Sequence, residues 1–261
     1  MTQPDAADEL CIGFADERIR VVTFAPHRLD VLAAHLRHCT LGVGECRRAQ
    51  PVLLLADSLP DDLALNEIIA QLIAPCAAAL VLHAAGVTLR KRGIMLAGES
   101  GSGKSTLTTW LLRSGFGYLS DEVIAVSGGS FPTMRGLARS LVLKSGSAHI
   151  WRPLIDETEQ VRHFGDGSAW IPPEVLNPTC VSSSAALDMI IFPRYDPTVL
   201  FEVEQLSPAQ TTFNLMQNLV NARNLPRHGL SALATVAKAA PGYTLVYSDV
   251  TRVSTWLLNA L

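Results

Sequence analysis

Gly98-Glu99-Ser100-Gly101-Ser102-Gly103-Lys104-Ser105 is the stretch that decides the fold, because it matches the pattern G-x-x-x-x-G-K-[ST] throughout. The apolar residues 94–97 precede it and predict a strand, and the periodic residues 105–111 follow it and predict a helix. A strand that enters a glycine-rich loop and a helix that leaves it form the context that this pattern requires. The sequence therefore predicts a phosphate-binding loop within an α/β fold.

The residue types of this loop suit a polyphosphate. Glycines let consecutive backbone N–H groups point inward around phosphate oxygens, and the following helix adds about half a positive charge at its N-terminus. Lys104 is predicted to reach the β- and γ-phosphates, and the Ser105 hydroxyl to bind Mg²⁺. We therefore expect ATP or a similar polyphosphate, with Mg²⁺, as the ligand. The residues expected to contact it are Gly98, Ser100, Gly101, Ser102, Gly103, Lys104, Ser105 and Thr106.

Two adjacent acids, Asp121 and Glu122, precede the apolar residues 123–126 within a predicted strand over residues 118–126. One short helix separates them from the loop, so the chain returns directly to an acid pair beside the phosphates. The functional interpretation is that the pair organises Mg²⁺ and supplies a carboxylate base for a hydroxyl proton. The alternative is a solvated pair of charges at the end of a strand.

Three further polar residues are candidates for the same site. His83 lies in a predicted apolar strand, 21 residues before Lys104, where a histidine is usually a satisfied core residue. Arg139 and Lys144 follow the acid pair and are candidates to steady the phosphates or an acidic substrate. For these two residues a solvated surface role is the favoured alternative.

The residues 83–87 (His-Ala-Ala-Gly-Val), the phosphate-binding loop and the residues 115–122 together resemble the catalytic domain of bacterial HPr kinase/phosphorylase. More closely, the chain resembles the shorter HPr-kinase-related proteins found beside peptide-modification gene clusters, including kinases of lasso-peptide precursors. The resemblance is strong over about residues 78–126 and extends to residues 140–147, and more weakly to 247–249. Residues 1–75 do not resemble the N-terminal domain of the HPr kinases.

This resemblance implies an α/β fold of the HPr kinase/PEP carboxykinase type, with a mixed sheet and flanking helices. It implies a serine kinase that uses ATP and Mg²⁺ and phosphorylates a peptide or protein, lasso-type precursors among them. By matched position, Lys104 and Ser105 hold phosphates and Mg²⁺, and His83 contributes to catalysis. The acid pair supplies the base, with Asp121 the first choice, and Glu122 joins Ser105 as a metal ligand.

Two departures from the family pattern bear on activity. The second acid of the pair is often Asp in the family, and here it is Glu122. A family signature that bears on Mg²⁺ and on phosphorylase activity has only a partial match in residues 135–138, at the wrong distance from the acids. Dephosphorylation and HPr as the substrate are therefore not predicted. Two alternatives remain, a kinase of small-molecule hydroxyls on this scaffold and a non-catalytic nucleotide-binding module.

Length and composition place limits on the class of protein. The chain has 261 residues, 48% hydrophobic and 17% charged, so it can bury a large core and is not disordered. We divide it into an N-terminal α/β subdomain, residues 1–75, and a P-loop catalytic domain, residues 76–261. The net charge of −3 argues against nucleic acid as a partner. Oligomeric state stays open, with a homo-oligomer among the options.

The expected location is the cytoplasm. Five cysteines without a C-x-x-C pair favour reduced thiols, and the N-terminus lacks the basic start of a secretory signal. Residues 68–89 carry no charge and are long enough to cross a bilayer. Pro75 divides them into a helical pattern and a β-like pattern, so we interpret them as a buried helix and a buried strand rather than a membrane span.

Other patterns are less specific. His35, His38, Cys39 and Cys46 form a candidate metal cluster with poor spacing. Trp151, Trp170 and the prolines 172–173 either line a peptide groove or pack under a long loop. Phe213, Leu215 and Met216 are expected in the core.

Further strands are predicted over residues 17–26, 50–56, 80–89, 140–144, 188–192 and 244–247. Further helices are predicted over residues 29–39, 63–73, 207–223, 231–239 and 249–261, and residues 145–178 are predicted to be rich in loops.

Overall fold

A computed structural model describes residues 8–42, 51–155 and 158–261 of the chain. The strands are β1 (Asp8–Phe14), β2 (Glu17–Thr23), β3 (Val52–Leu54), β4 (Leu80–Leu89), β5 (Arg92–Ala97), β6 (Gly117–Ser120), β7 (Val123–Val126), β8 (Thr133–Gly136), β9 (Leu141–Leu143), β10 (Arg162–His163), β11 (Ala169–Ile171), β12 (Ala185–Tyr195), β13 (Phe201–Leu206) and β14 (Gly242–Tyr247). The helices are α1 (Pro26–His35), α2 (Asp61–Ile73), α3 (Lys104–Arg113), α4 (Ala148–Trp151), α5 (Pro173–Leu176), α6 (Pro208–Met216), α7 (Leu230–Ala239) and α8 (Val250–Ala260).

The central sheet has eight strands in the order β13-β14-β12-β5-β4-β7-β8, with β6 also paired to β4. Strands β14, β12 and β5 run parallel, and the pairs β5–β4, β4–β7 and β7–β8 are antiparallel. Strand β8 also pairs with the start of β12, so the sheet curls back on itself at that end. The mixed α/β fold with a central mixed sheet and flanking helices is thereby confirmed.

Alternate residues of β5 show how helices cover both faces of this sheet. Ile94 and Leu96 belong to a buried cluster with Leu107 and Leu111 of α3. The intervening residues of β5 point to the opposite face and join a second cluster with α6 and α7. Since successive side chains of a strand alternate between faces, a strand buried on both sides is apolar throughout. This explains the continuous apolar run before the phosphate-binding loop.

The uncharged residues 68–89 are divided as the sequence predicts. Helix α2 ends at Ile73, and the buried strand β4 begins at Leu80. No helix in the described parts of the chain combines the length and apolar character that a membrane crossing requires.

A separate three-stranded sheet, β1-β2-β3, packs with α1 and α2 at the N-terminal side. Its buried cluster contains Leu32 and Ile68 and continues into Val81 of β4 and Val123 of β7. The predicted boundary between residues 75 and 76 lies in the link between α2 and β4. One hydrophobic core crosses that boundary, so the two predicted domains share buried surface.

The prediction of reduced thiols is confirmed for Cys39, Cys76 and Cys180, which are free and buried, and is wrong for Cys11, which is disulfide-bonded. A disulfide requires two Cα atoms within about 7 Å, and the fold rather than the sequence spacing decides that proximity.

The predicted strand over residues 118–126 is two strands, β6 and β7, with the acid pair at the break. Ser120 causes the break, because its hydroxyl accepts hydrogen bonds from the backbone N–H groups of Glu122 (3.2 Å) and Val123 (3.1 Å). The acids therefore lie in a turn beside the phosphate-binding loop rather than within a regular ladder.

Other boundaries also differ from prediction. Pro26 begins α1 instead of ending a strand, which suits the first turn of a helix. Pro193 lies inside β12 rather than after it. Beyond Ile191, which pairs with Leu96, β12 has a partner on one side only, so a residue without an N–H is tolerated.

Strands β1, β8 and β13 were not predicted. Helix α6 ends at Met216 rather than at residue 223, and residues 145–178 contain short helices and strands.

Gly136→Ala is expected to lower the free energy of unfolding by about 3 kcal/mol. A Cβ atom at this position would lie 2.0 Å from the backbone oxygen of Leu119, which cannot move without breaking up β6. Urea unfolding followed by circular dichroism measures the change. Gly128→Ala is the control, because a Cβ at Gly128 meets nothing within 4 Å. Equal stability of the two variants would contradict this close packing.

Candidate functional site

The phosphate-binding loop connects the end of β5 to the start of α3. Gly101 and Gly103 have φ angles of +90° and +96°, in the left-handed region that glycine enters without a steric penalty. Ser105 and Thr106 lie in the first turn of α3. The two glycines therefore supply the backbone conformation that a loop wrapped around phosphate oxygens needs.

The side chain of Lys104 lies inside the loop. Its Nζ donates hydrogen bonds to the backbone oxygens of Gly98 (2.6 Å) and Glu99 (2.9 Å), and the side chain is buried. Burial lowers the pKa of Lys104, and the carboxylates of Glu122 and Asp121 act in the opposite direction. The ammonium group is thus kept inside a curled loop with acids nearby.

The hydroxyl of Ser102 indicates that the loop fits a phosphate. Its hydroxyl is buried and has no hydrogen-bond partner among the residues that the structure describes. An unsatisfied buried hydroxyl is costly, and a phosphate oxygen in the loop would satisfy it. The hydroxyl and the N-terminus of α3 together fit an anionic ligand, as predicted for ATP.

Asp121, the first choice for the base, is 1% exposed. Its Oδ2 accepts a hydrogen bond from the backbone N–H of Val142 at 3.1 Å, and the hydroxyl of Tyr118 lies 3.3 Å from its Oδ1. Burial raises the pKa of Asp121, with the guanidinium of Arg139 acting against it. Both oxygens are engaged inside the protein, so this carboxylate has no free face toward a substrate.

Glu122 is the accessible member of the pair, with a side chain 37% exposed. Its Oε1 lies 3.4 Å from Nδ1 of His83, and its Oε2 accepts a hydrogen bond from Arg139 at 2.9 Å. Burial alone would raise the pKa of Glu122, but the contacts with His83 and Arg139 outweigh it and lower the pKa to about 2. The carboxylate is therefore ionised and held against a histidine.

Arg139 is 4% exposed, so the surface role favoured for it in the sequence analysis is wrong. Its Nε lies 3.5 Å from Oδ1 of Asp121, and it bridges to Glu122 as described. The hydroxyl of Tyr118 donates to its backbone oxygen at 2.8 Å. Arginine at this position neutralises an acid pair that burial would otherwise destabilise.

Lys144 is exposed, and its Nζ donates a hydrogen bond to Oγ of Ser100 at 3.2 Å. This contact brings a second ammonium group to the outer side of the phosphate-binding loop. The exposure of Lys144 agrees with the surface role, and the contact with Ser100 places that surface beside the loop.

His83 also lies beside the loop, on strand β4. Its neighbour Ala84 pairs with Ala97, the last residue of β5 before the loop, and His83 itself pairs with Val123 of β7. The backbone N–H of His83 donates to the oxygen of Asn218 at 2.8 Å, and its side chain is partly exposed. The predicted residues His83, Lys104 and the acid pair are therefore brought together.

Two tyrosines near the loop were not predicted as site residues. Tyr195 ends β12, and its backbone N–H donates to the oxygen of Ser102 at 3.3 Å. The hydroxyl of Tyr247 lies 3.0 Å from where a Cβ on Gly103 would be. Residues 247–249 carried a weak family resemblance, and only the parallel pairing of β12 with β5 and β14 shows that Tyr195 and the hydroxyl of Tyr247 lie beside the loop.

The candidate metal cluster is not formed by the residues that the structure describes. His35 is buried and stacks on Trp170 with ring centroids 4.0 Å apart, whereas His38 contacts Glu174. Cys46 lies outside the described residues, and in the described parts no group of three His, Cys, Asp or Glu side chains is placed to hold a metal. His35 ends α1, whereas His38 and Cys39 follow the helix, so the helical spacing of His35 and His38 does not apply.

The remaining weaker predictions have different outcomes. Trp151 and Trp170 are buried, so the packing alternative is confirmed and the peptide groove is wrong. Leu215 is buried as expected, but Phe213 and Met216 are exposed, because α6 buries only one of its faces. A surface cavity of about 390 Å³ near the start of β4 is lined by residues 77–80, Gly128, 225–227, Gly229 and 231–232.

No protein-family model matches the chain, and no curated protein matches it significantly. Among solved structures it is similar to the Hpr(Ser) kinase/phosphatase from Coxiella burnetii, with 12% sequence identity and a TM-score of 0.35. The match covers 69% of this chain and 95% of that chain. Since both the identity and the TM-score are low, we base no statement of function on this likeness.

Glu122→Gln is expected to flatten the dependence of stability on pH. A pKa lowered from 4.5 to about 2 contributes stability that is present above pH 4.5 and is lost as the pH falls toward 2. The variant therefore loses about 1 kcal/mol at pH 7, a value reduced by solvent screening of a partly exposed group. The difference in the free energy of unfolding between the variant and the parent protein disappears near pH 2.

Urea unfolding at a series of pH values measures this effect. Glu204→Gln, which changes an exposed glutamate on the edge strand β13, is the matched control and should follow the parent curve. A constant difference between parent and Glu122→Gln from pH 7 to pH 2 would show that the effect does not come from ionisation.

Proposed function

We propose that this protein is a kinase that uses ATP and Mg²⁺ to phosphorylate a serine hydroxyl in a peptide or protein. The observation that carries the proposal is the position of Glu122 and His83, whose Oε1 and Nδ1 atoms lie 3.4 Å apart, directly beside a phosphate-binding loop closed by Lys104. A loop that only binds nucleotide needs no such pair next to the terminal phosphate. A kinase needs one, because the attacking hydroxyl must lose its proton there.

The triphosphate would lie in the loop, with its negative charge balanced by Lys104, the N-terminus of α3 and, on the outer side, Lys144. Ser105 and Glu122 would supply oxygen ligands to Mg²⁺, which when bound neutralises charge on the β- and γ-phosphates. The residues of the chain thus perform mainly positioning and charge neutralisation, which is what phosphoryl transfer requires.

The acceptor hydroxyl attacks the γ-phosphorus in line. A bond forms between the serine oxygen and phosphorus, and the bond from phosphorus to the β,γ-bridging oxygen breaks, so that ADP leaves. The hydroxyl proton passes to the pair formed by His83 and Glu122. Within this pair Glu122 orients the imidazole, because a carboxylate with a pKa of about 2 is itself a weak base. Asp121 holds the turn in place through Val142 and Tyr118.

A peptide or protein is the favoured acceptor class, and a ribosomally made precursor peptide is its most specific form. The support is the exposure of Lys144 and the partial exposure of Glu122 beside the loop, which gives an extended chain access to the site. A small-molecule hydroxyl kinase remains the competing proposal from sequence.

The test is mass spectrometry after incubation with ATP and Mg²⁺. The acceptor is a mixture of synthetic peptides, each containing one serine, together with any short peptide encoded beside the gene. We expect a gain of one phosphate on a serine peptide, lost in His83→Ala and in a matched mixture with serine replaced by alanine. Glu204→Gln serves as a control variant that should keep full activity.

The other outcomes identify the alternatives. Phosphate on a free hydroxy-amino acid, with none on peptides, would assign a small-molecule kinase. Release of inorganic phosphate without any labelled acceptor, unchanged in His83→Ala, would assign a nucleotide-binding module. Either result would overturn the proposal of a peptide kinase.

A further inference from the structure

The phosphate-binding loop has two different sides. Strand β5, which enters the loop, lies between β4 and β12 in the central sheet. On the β4 side are His83 and the acid pair, where the proposed function places the terminal phosphate and the acceptor. If the γ-phosphate of a linear triphosphate lies on that side, its α-phosphate and the group attached to it extend toward β12.

Strand β12 runs parallel to β5 and continues past it along the loop. The backbone oxygen of Pro193 lies 3.9 Å from where a Cβ on Gly98 would be, and the N–H of Tyr195 bonds to the oxygen of Ser102 at 3.3 Å. The Cβ of Tyr195 is 3.6 Å from the Cβ position of Gly103. Tyr195 is thus attached to the loop on the side opposite to His83.

The ring of Tyr195 is exposed to solvent and contacts the ring of Tyr247. The residue is 43% exposed, so one part of its ring is open to a ligand. Tyr247 contacts it edge to face, with ring centroids 6.0 Å apart and an angle of 81° between the planes. The backbone N–H of Asp196 donates to the oxygen of Tyr247 at 3.0 Å and fixes the two strand ends together.

We propose that Tyr195 is the stacking platform for the base of the donor nucleotide. The inference rests on the proposed function for the placement of the γ-phosphate. It adds that the donor is a nucleoside triphosphate rather than inorganic pyrophosphate or polyphosphate, which has no base to stack. Stacking on an aromatic face tolerates different bases and favours the larger purines.

The experiment compares two probes, ATP and inorganic tripolyphosphate, each with Mg²⁺, by isothermal titration calorimetry. Tyr195→Ala is expected to weaken ATP binding about tenfold, while tripolyphosphate binding stays within about twofold. Tyr195→Phe keeps the ring and should bind ATP within about twofold of the parent protein. Phe131→Ala removes a fully exposed ring from the turn after β7, at the far end of that strand, and is the matched control.

An equal loss for both probes in Tyr195→Ala would show a role in shaping the loop and would overturn the proposal. Unchanged ATP binding in Tyr195→Ala would overturn it as well. These results differ from a failure of the proposed function. If ATP binds and depends on Tyr195 but no hydroxyl is phosphorylated, the kinase proposal alone is wrong. If the parent protein binds neither probe, both proposals are wrong.

Discussion

Lys104→Met is expected to lower kcat/KM for phosphoryl transfer by about 10³-fold. The ammonium group of Lys104 is held inside the loop by two backbone oxygens, where the proposed function places the negative charge of the transferred phosphoryl group. Methionine keeps the length and most of the volume of the side chain but carries no charge. The loss therefore falls on binding and stabilisation of the phosphates, and steady-state kinetics with labelled ATP measure it.

Stability separates this effect from misfolding. Because burial lowers the pKa of Lys104, the charged form is already disfavoured inside the protein, and an apolar substitute of similar shape should change the free energy of unfolding by less than about 1 kcal/mol. Lys238→Met on the exposed surface of α7 is the control and should leave activity intact. Full activity in Lys104→Met would contradict the assignment of the loop.

Arg139→Met is expected to lower the free energy of unfolding by about 3–5 kcal/mol. Arg139 and Asp121 are both buried, and the guanidinium also binds Glu122 at 2.9 Å. Removing the cation leaves two neighbouring carboxylates, one of them without solvent, and no positive group between them. In a chain of this size such a loss corresponds to a fall in melting temperature of roughly 10 °C, measured by calorimetry.

A double-mutant cycle tests whether charge is the cause. Asp121→Asn removes the buried charge that Arg139 neutralises, so the double variant should lose less stability than the sum of the two single variants. Arg135→Met, which removes an exposed ion pair with Asp16, is the control and should cost less than about 1 kcal/mol. Additive losses in the cycle would show that Arg139 acts by filling volume.

Sequence alone located the phosphate-binding loop and the elements on either side of it. Every requirement of that motif is local, since the glycine conformations at Gly101 and Gly103 and the cation of Lys104 all lie within eight consecutive residues. The division of the uncharged run into α2 and β4 was also predictable, because Pro75 and the change of period are written into consecutive positions.

Tertiary structure alone decided which acid faces outward, which cation neutralises the pair and which tyrosine lies beside the loop. Asp121 and Glu122 are neighbours with the same chemistry, and only the turn held by Ser120 buries one and exposes the other. Arg139 and Tyr195 reach the site through strand pairings and packing between distant segments. Such contacts depend on how the whole sheet assembles, so no local pattern of residues carries them.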